Sequence, residues 1–129
     1  MLYLFLAGRI LYGGFLLVSG IDHFRHAQVL TVHAGSKGVP APHVGVLVSG
    51  LLIIIGGLSI LLGLRPTVGV VCVTLFLVPT SLVIHNYWGD SNPGVKQANF
   101  INFKKNIALL GAAWMFLLIP QPWPLSLNW

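Results

Sequence analysis

Three long apolar stretches constrain this chain more than any other feature of its sequence. They cover residues 2–21, 44–64 and 67–88, and a single charged side chain, Arg9, interrupts them. Each is long enough to cross the hydrocarbon layer of a bilayer, which is about 30 Å thick and needs about 20 helical residues. Only 7% of the 129 residues are charged, against about 25% in a soluble domain. The sequence therefore predicts an integral membrane protein and excludes both a soluble globular domain and a disordered chain.

A fourth and shorter apolar stretch follows residue 105. We extend it back to residue 102, because the side chains of Lys104 and Lys105 can snorkel toward the lipid headgroups. Backbone polar groups in lipid must be satisfied within the chain, so each stretch is expected to form a helix. The predicted fold class is all-α: one domain over residues 1–129, an antiparallel four-helix transmembrane bundle with helices at about 2–21, 44–64, 67–88 and 102–119.

The basic residues are distributed unevenly between the two predicted faces of the membrane. Seven Lys and Arg residues against two Asp and Glu residues give a net charge of +5. Five of the seven lie in the connections at 22–43 and 89–105, whereas Arg65 lies with both termini on the other face. The positive-inside rule then predicts that these connections are cytoplasmic and that both termini are outside. We attribute the basic charge to topology and lipid headgroups rather than to nucleic-acid binding.

Polar side chains gather at one end of the predicted bundle, which we call the His85 pole. It is the end where the first and third predicted helices finish and the fourth begins. A carboxylate, a cation, an imidazole and several amide or hydroxyl groups meet there. Ionisable and amide groups inside a membrane protein are costly and are therefore candidates for function. The candidate ligand-binding residues are Asp22, Ser81, His85, Asn86, Lys105 and Asn106.

Two interpretations of the His85 pole remain open. In the first, these residues are ordinary helix ends in interfacial water. In the second, they line a pocket that opens to the cytoplasmic side. His85 would then donate or accept a proton, Lys105 would supply a cation, and the amides and Ser81 would form hydrogen bonds. A ring of aromatic and amide groups around a histidine and a lysine would suit the head of a quinone or a phenol.

The sequence lacks the motifs of metal, nucleotide and disulfide chemistry. The single cysteine, Cys72, excludes an intrachain disulfide and a CxxC motif. His23 and His26 are three residues apart, but no HExxH motif and no second nearby carboxylate accompany them. We therefore predict no metal site and no nucleotide cofactor.

Arg9 and two C-terminal tryptophans are expected at the other end of the bundle. Arg9 lies roughly 10 Å into the layer, at about 1.5 Å of rise per residue. Both acidic residues lie near the opposite end. Arg9 therefore either snorkels to the near surface or points into the bundle, where backbone carbonyls or Tyr12 would be its partners. Trp123 and Trp129 follow the last helix and are predicted to be interfacial anchors.

Short segments along nearly the whole chain form an ordered set: 9–13 (RILYG), 19–24 (SGIDHF), 37–42 (KGVPAP), 49–52 (SGLL), 56–59 (GGLS), 61–63 (LLG), 76–80 (FLVPT), 85–88 (HNYW) and 103–111 (FKKNIALLG). Their order and spacing resemble those of DoxX-type membrane proteins. The resemblance implies a four-helix membrane bundle in a prokaryotic cytoplasmic (inner) membrane. It also implies an association with oxidoreductase systems, quinones and oxidative stress.

One residue departs from the family pattern. Members often carry a glutamate midway along the second helix, just before the paired glycines, and Ile53 occupies that place here. If that glutamate pairs with the first-helix arginine in other members, Arg9 lacks the partner. A role that depends on such a pair is not expected in this chain.

The predicted function is that of an integral membrane component of a redox or quinone-linked system. It would bind a quinone-like or other small lipophilic ligand at the His85 pole. The expected partners are the lipid bilayer, a soluble redox enzyme and further copies of the chain. The alternative function is a non-catalytic membrane scaffold whose pole docks a soluble enzyme. Small-solute transport has less support, because the sequence shows no inverted repeat or pair of broken helices.

Overall fold

The computed structural model describes residues 1–127. In this part of the chain the regular secondary structure is all helical, with five α-helices and two short helical turns, and there is no strand. A proline opens three of the five α-helices, at the position where its missing N–H costs nothing. The helices are α1 (Leu2–Arg25), α2 (Ala27–Ser36), α3 (Pro42–Leu62), α4 (Pro66–Pro79) and α5 (Pro93–Phe116).

Three helical segments are long and apolar enough to cross a membrane. They are Leu2–Arg25, Pro42–Leu62 and Pro66–Gly89. The first and third contain the predicted stretches 2–21 and 67–88, and the second ends two residues before the predicted end at residue 64. The third segment includes α4 and the helical turns that follow it. The prediction of an all-helical protein with membrane-spanning helices is therefore confirmed.

The last helix, α5, differs from these three. It has 24 residues and begins at Pro93 rather than at residue 102. Its first half is polar, and most side chains from residue 91 to residue 98 are exposed. Three lysines and several amides lower its mean hydropathy, so α5 is not among the helices that qualify as spans by composition.

Glycines allow three helices to pack with their backbones close together. A Cβ built on Gly13 of α1 would lie 2.8 Å from the carbonyl oxygen of Gly57 on α3. A Cβ on Gly56 of α3 would lie 2.7 Å from the side chain of Val73 on α4. Small residues favour such contacts in lipid, where close van der Waals packing holds helices together. The helix α3 therefore lies between α1 and α4.

The packing predicts that alanine substitutions at two adjacent glycines have opposite effects on stability. Gly13→Ala is expected to destabilise the protein by about 1–3 kcal/mol, because the new methyl group would push α1 away from the α3 backbone. No atom lies within 4 Å of a Cβ at Gly14. Gly14→Ala should therefore be neutral or stabilising by up to about 1 kcal/mol, since alanine is the better helix former. Unfolding free energies in detergent micelles test this, and equal values for the two variants would contradict the close contact.

Helix α2 lies within the connection predicted at 22–43 and packs against α3. Its residue Ala34 is buried, and the carbonyl of Ala34 accepts a hydrogen bond from the amide of Val39 at 3.1 Å. This bond turns the following loop back toward α3. With only 10 residues, α2 is too short to show the helical periodicity that identified the longer helices.

Pro79 changes the geometry of the third span. The chain continues from α4 into a π-helical turn at Thr80–Ile84. The amide of His85 donates to the carbonyl of Thr80, five residues earlier, at 3.1 Å. Proline lacks an N–H, so a helix commonly bends or changes its winding there. This wider turn sets the direction in which the chain presents His85.

The Arg9 side chain points into the bundle and is only 1% exposed. Its Nε and Nη2 donate to the carbonyls of Ile60 and Leu61, at 3.2 and 2.9 Å. Its Nη1 donates to the carbonyls of Pro124 and Leu125, at 2.8 and 3.2 Å. The last carbonyls of a helix have no partner within the helix. Arg9 therefore caps the C-terminal end of α3 and ties the C-terminal segment to it.

The prediction that Trp123 is an interfacial anchor is wrong. Its side chain is 2% exposed, and its ring packs edge-on against Phe5 and Phe116, with centroid distances of 5.3 and 5.7 Å. The segment after α5 folds back toward α3, where the amide of Leu127 donates to the carbonyl of Leu62 at 2.9 Å. This return places the ring in the protein interior. The other predicted anchor, Trp129, lies outside the described residues.

Candidate functional site

A cavity of about 630 Å³ lies at the His85 pole, and residues of all five helices line it. Its volume is in the range of about 300–1,000 Å³ that is usual for ligand sites. Most of the wall is apolar, with Leu16, Val46, Leu52 and Phe76 among its residues. The polar side chains in the wall are Ser19, His23, His33, Ser49, Thr80, His85, Lys105 and Asn106.

A chain of side-chain hydrogen bonds holds His85 at the wall of the cavity. Its Nδ1 lies 3.1 Å from Oδ1 of Asn99, a residue of α5 that is 7% exposed. Nδ2 of Asn99 donates to Oδ2 of Asp90 at 2.7 Å. Nζ of Lys37 donates to Oδ1 of Asn86 at 2.7 Å and to Oδ1 of Asp90 at 3.3 Å. The imidazole of His85 is thus connected to three segments: the loop after α2, the turns before α5, and α5 itself.

Lys37 and Asp90 form an ion pair whose side chains are 15% and 11% exposed. The hydrogen bond from Asn99 holds the pKa of the Asp90 carboxyl below its usual range, and Lys37 acts in the same direction. Burial acts in the opposite direction but does not outweigh these partners. Asp90 is therefore a carboxylate at neutral pH, and it can only accept hydrogen bonds.

The lowered pKa predicts an acid-dependent loss of stability. Ionised Asp90 stabilises the folded state above its unfolded-state pKa of about 3.9, and this contribution is lost as the pH falls through the lower folded-state value. The wild type should therefore be more stable than Asp90→Asn at neutral pH. The difference should shrink toward zero below about pH 4. Thermal unfolding of both proteins across this range measures it, and a difference independent of pH would contradict a role for the charge.

Three of the six predicted site residues line the cavity: His85, Lys105 and Asn106. Asn106 is 5% exposed and faces the bundle from α5. Nζ of Lys105 donates to Oδ1 of Asn102 at 3.2 Å and lies 5.8 Å from the centre of the Phe15 ring. These contacts hold the ammonium group beside the cavity.

The other three predicted residues do not line the cavity. Asn86 accepts the hydrogen bond from Lys37 and so supports the network around Asp90. The buried hydroxyl of Ser81 donates to the carbonyl of Leu77 at 2.6 Å, one turn earlier in the same helix. Asp22 is half-buried at the end of α1.

A second histidine of the wall was not assigned to the site from the sequence. Nδ1 of His23 lies 2.8 Å from the carbonyl oxygen of Ser19, one turn earlier in α1. Its ring packs edge-on against Phe76, with a centroid distance of 5.5 Å. Both contacts fix the direction of the ring. Within residues 1–127, no group of three or more His, Cys, Asp or Glu side chains could hold a metal ion.

The fold and the pole together define a small helical integral membrane protein with a mostly apolar cavity at one end of its helices. The family model described as DoxX matches residues 4–86. The chain belongs to the DoxX family. The match covers α1 to α4 and ends just after His85, so the site's α5 residues lie beyond it. No curated protein and no solved structure matches the chain.

Proposed function

We propose that α1, α3, α4 and α5 form an antiparallel four-helix bundle that crosses a prokaryotic inner membrane. Two contacts support α5 as the fourth crossing. The Tyr12 hydroxyl donates to the carbonyl of Leu109 at 2.6 Å, and Nε1 of Trp114 donates to Oγ1 of Thr74 at 3.1 Å. They join the apolar half of α5 to α1 and α4. The distribution of basic residues favours a cytoplasmic His85 pole, with both termini outside.

We also propose that the cavity binds a small lipophilic molecule with a quinone-like or phenolic head, as part of a redox or quinone-linked system. One observation carries this proposal: the apolar cavity of about 630 Å³ has His85, Lys105 and Asn106 in its wall. An apolar cavity with a few convergent polar groups is the usual form of a ligand site. The apolar wall would hold the rings or tail of the ligand.

In this proposal the polar head meets three side chains. His85 exchanges a hydrogen bond with an oxygen of the ligand, and its ring can take up or release a proton near neutral pH. Lys105 supplies a positive charge, and the amide of Asn106 orients the head. The remaining predicted residues do not line the cavity and are not proposed as contacts.

A second candidate function is a membrane scaffold that docks a soluble redox enzyme. The exposed residues 91–98 (SNPGVKQA) at the start of α5 favour it, because they offer a polar surface at the same pole. This function requires no ligand in the cavity.

Small molecules that copurify with the protein separate the two functions. We expect mass spectrometry of the protein purified in mild detergent to find an aromatic lipophile enriched over bulk lipids. His85→Ala should lose most of it and still fold, with thermal unfolding at a somewhat lower temperature because Oδ1 of the buried Asn99 loses its hydrogen bond to the imidazole. If both proteins carry only bulk membrane lipids, the ligand function is wrong and the scaffold is the better explanation.

A further inference from the structure

The two histidines that are fixed in the cavity wall have defined protonation patterns. Nδ1 of His23 lies 2.8 Å from the Ser19 carbonyl oxygen. A carbonyl only accepts hydrogen bonds, so Nδ1 must be the donor. The neutral ring of His23 therefore carries its hydrogen on Nδ1 and leaves Nε2 as an acceptor.

His85 also carries its hydrogen on Nδ1, and this follows from the hydrogen bonds of Asn99 and Asp90. The carboxylate of Asp90 accepts only, so the Asn99 amide turns its NH₂ group to Asp90, at 2.7 Å. This orientation leaves Oδ1 of Asn99 toward Nδ1 of His85, at 3.1 Å. An amide oxygen cannot donate, so Nδ1 of His85 donates. Asn99 is thus a positioning residue that sets which nitrogen of His85 carries the hydrogen.

Both Nε2 atoms remain available to a ligand. Among the described residues neither has a hydrogen-bond partner, and neither is sealed from solvent. The two rings reach the cavity from different elements, α1 and the turn after α4. The Lys105 ammonium donates one of its three hydrogens to Asn102. Its other hydrogens can bond to a hydroxyl oxygen or a ketone oxygen alike, so Lys105 does not distinguish the two forms of the ligand.

We propose that the cavity selects ligands by their hydroxyl groups: it binds an aromatic diol, or a phenol, in preference to the dione with the same carbon skeleton. In its neutral form each imidazole presents an acceptor at Nε2, which a hydroxyl can satisfy and a ketone oxygen cannot. A dione would leave both Nε2 atoms without a partner. This inference rests on the proposed ligand function and specifies that the reduced form of the ligand, the diol, binds more tightly.

The first test reads the protonation pattern directly. Nitrogen-15 NMR of histidine-labelled full-length protein, in detergent well above the usual histidine pKa of about 6.5, should show hydrogen on Nδ1 for both His23 and His85. Asn99→Ala should shift the His85 ring toward the mixture of Nδ1–H and Nε2–H tautomers that is seen in free histidine. Gln97→Ala, an exposed amide on the same helix, should leave it unchanged. A His85 ring that carries hydrogen on Nε2 in the wild type overturns the inference.

The second test measures selectivity with a matched pair of probes, a decyl-substituted 1,4-hydroquinone and the corresponding 1,4-benzoquinone. Under anaerobic conditions the hydroquinone should bind at least about tenfold more tightly, since two additional hydrogen bonds form. Asn99→Ala should reduce this ratio severalfold, and Gln97→Ala should not. Equal binding overturns the inference and leaves the proposed function intact. If neither probe binds, the proposed function fails and the inference fails with it.

Discussion

Arg9→Lys is expected to destabilise the protein by about 3 kcal/mol, although it keeps the charge. The guanidinium makes four hydrogen bonds to carbonyls of two separate segments, the end of α3 and the chain after α5. A lysine has one nitrogen and cannot reach both segments in the same geometry. At least one pair of carbonyls would then lose its charged partner, at about 1.5–3 kcal/mol for each such bond. The guanidinium also lies 5.7 Å from the centre of the Trp123 ring.

Arg25→Lys provides the matched control, because Arg25 is exposed at the end of α1. This exchange should change stability by less than about 0.5 kcal/mol. Unfolding of both variants by SDS in detergent micelles, followed by tryptophan fluorescence, gives the two free energies. If Arg9→Lys is as stable as Arg25→Lys, Arg9 does not hold the C-terminal segment to α3.

Ser49→Trp is expected to lower ligand affinity at least about thirtyfold, which corresponds to about 2 kcal/mol. Ser49 is half-buried on α3 and lines the cavity, and its hydroxyl donates to the Val46 carbonyl of the same helix at 2.9 Å. An indole at this position would occupy the space that the ligand needs. The helix should tolerate it, because the added volume enters the cavity rather than a filled core.

Val44→Trp is the control for the added bulk. Val44 is on the same helix, is 59% exposed and does not line the cavity. Affinity for the decyl hydroquinone probe, measured by isothermal titration in detergent, should be unchanged in this variant. Equal losses in both variants, or no loss in either, would place the ligand outside the cavity.

The membrane-spanning helices could be predicted because their physical cause is local. An uncharged run of about 20 residues has no stable place in water, whatever the rest of the chain does. Two of the spans contain no charged side chain, and the span formed by α1 has Arg9 in its apolar part and Asp22 and Arg25 in its last turn. The convergence of His85, Lys105 and Asn106 was also predictable, because it depends only on which end of each helix a residue is near.

Asn99 was not predicted as a site residue, because the fourth helix was predicted to begin at residue 102 and α5 begins at Pro93. The segment 90–94 (DSNPG) has the composition of a turn, but Asn92 is the N-cap of α5 and its side chain accepts from the amides of Gly94 and Val95. An asparagine followed by a proline is a recognised helix start. With that start, Asn99 lies two turns before Asn106 on the same helix face. Both are buried in the structure.

Other features depend on contacts between distant segments, which no local pattern reveals. The partners of Arg9 come from residues more than 50 positions away, near residues 60 and 124. Trp123 is buried because the segment after α5 returns across the bundle. The Lys37–Asp90 pair likewise joins two loops that the sequence assigns only to the same face of the membrane.

Photolabelling tests the central claim, that the cavity at the His85 pole is a site for a lipophilic ligand, most directly. The probe is an alkyl phenol that carries a diazirine on its chain, added to the wild type in lipid nanodiscs. We predict that the labelled residues lie within 15–23, 75–85 and 105–109, where the cavity wall is, and that excess decyl hydroquinone suppresses the labelling. Labelling that is spread over outward-facing residues such as Leu4 and Leu118, which are 70% and 84% exposed, and is unaffected by the competitor would contradict it.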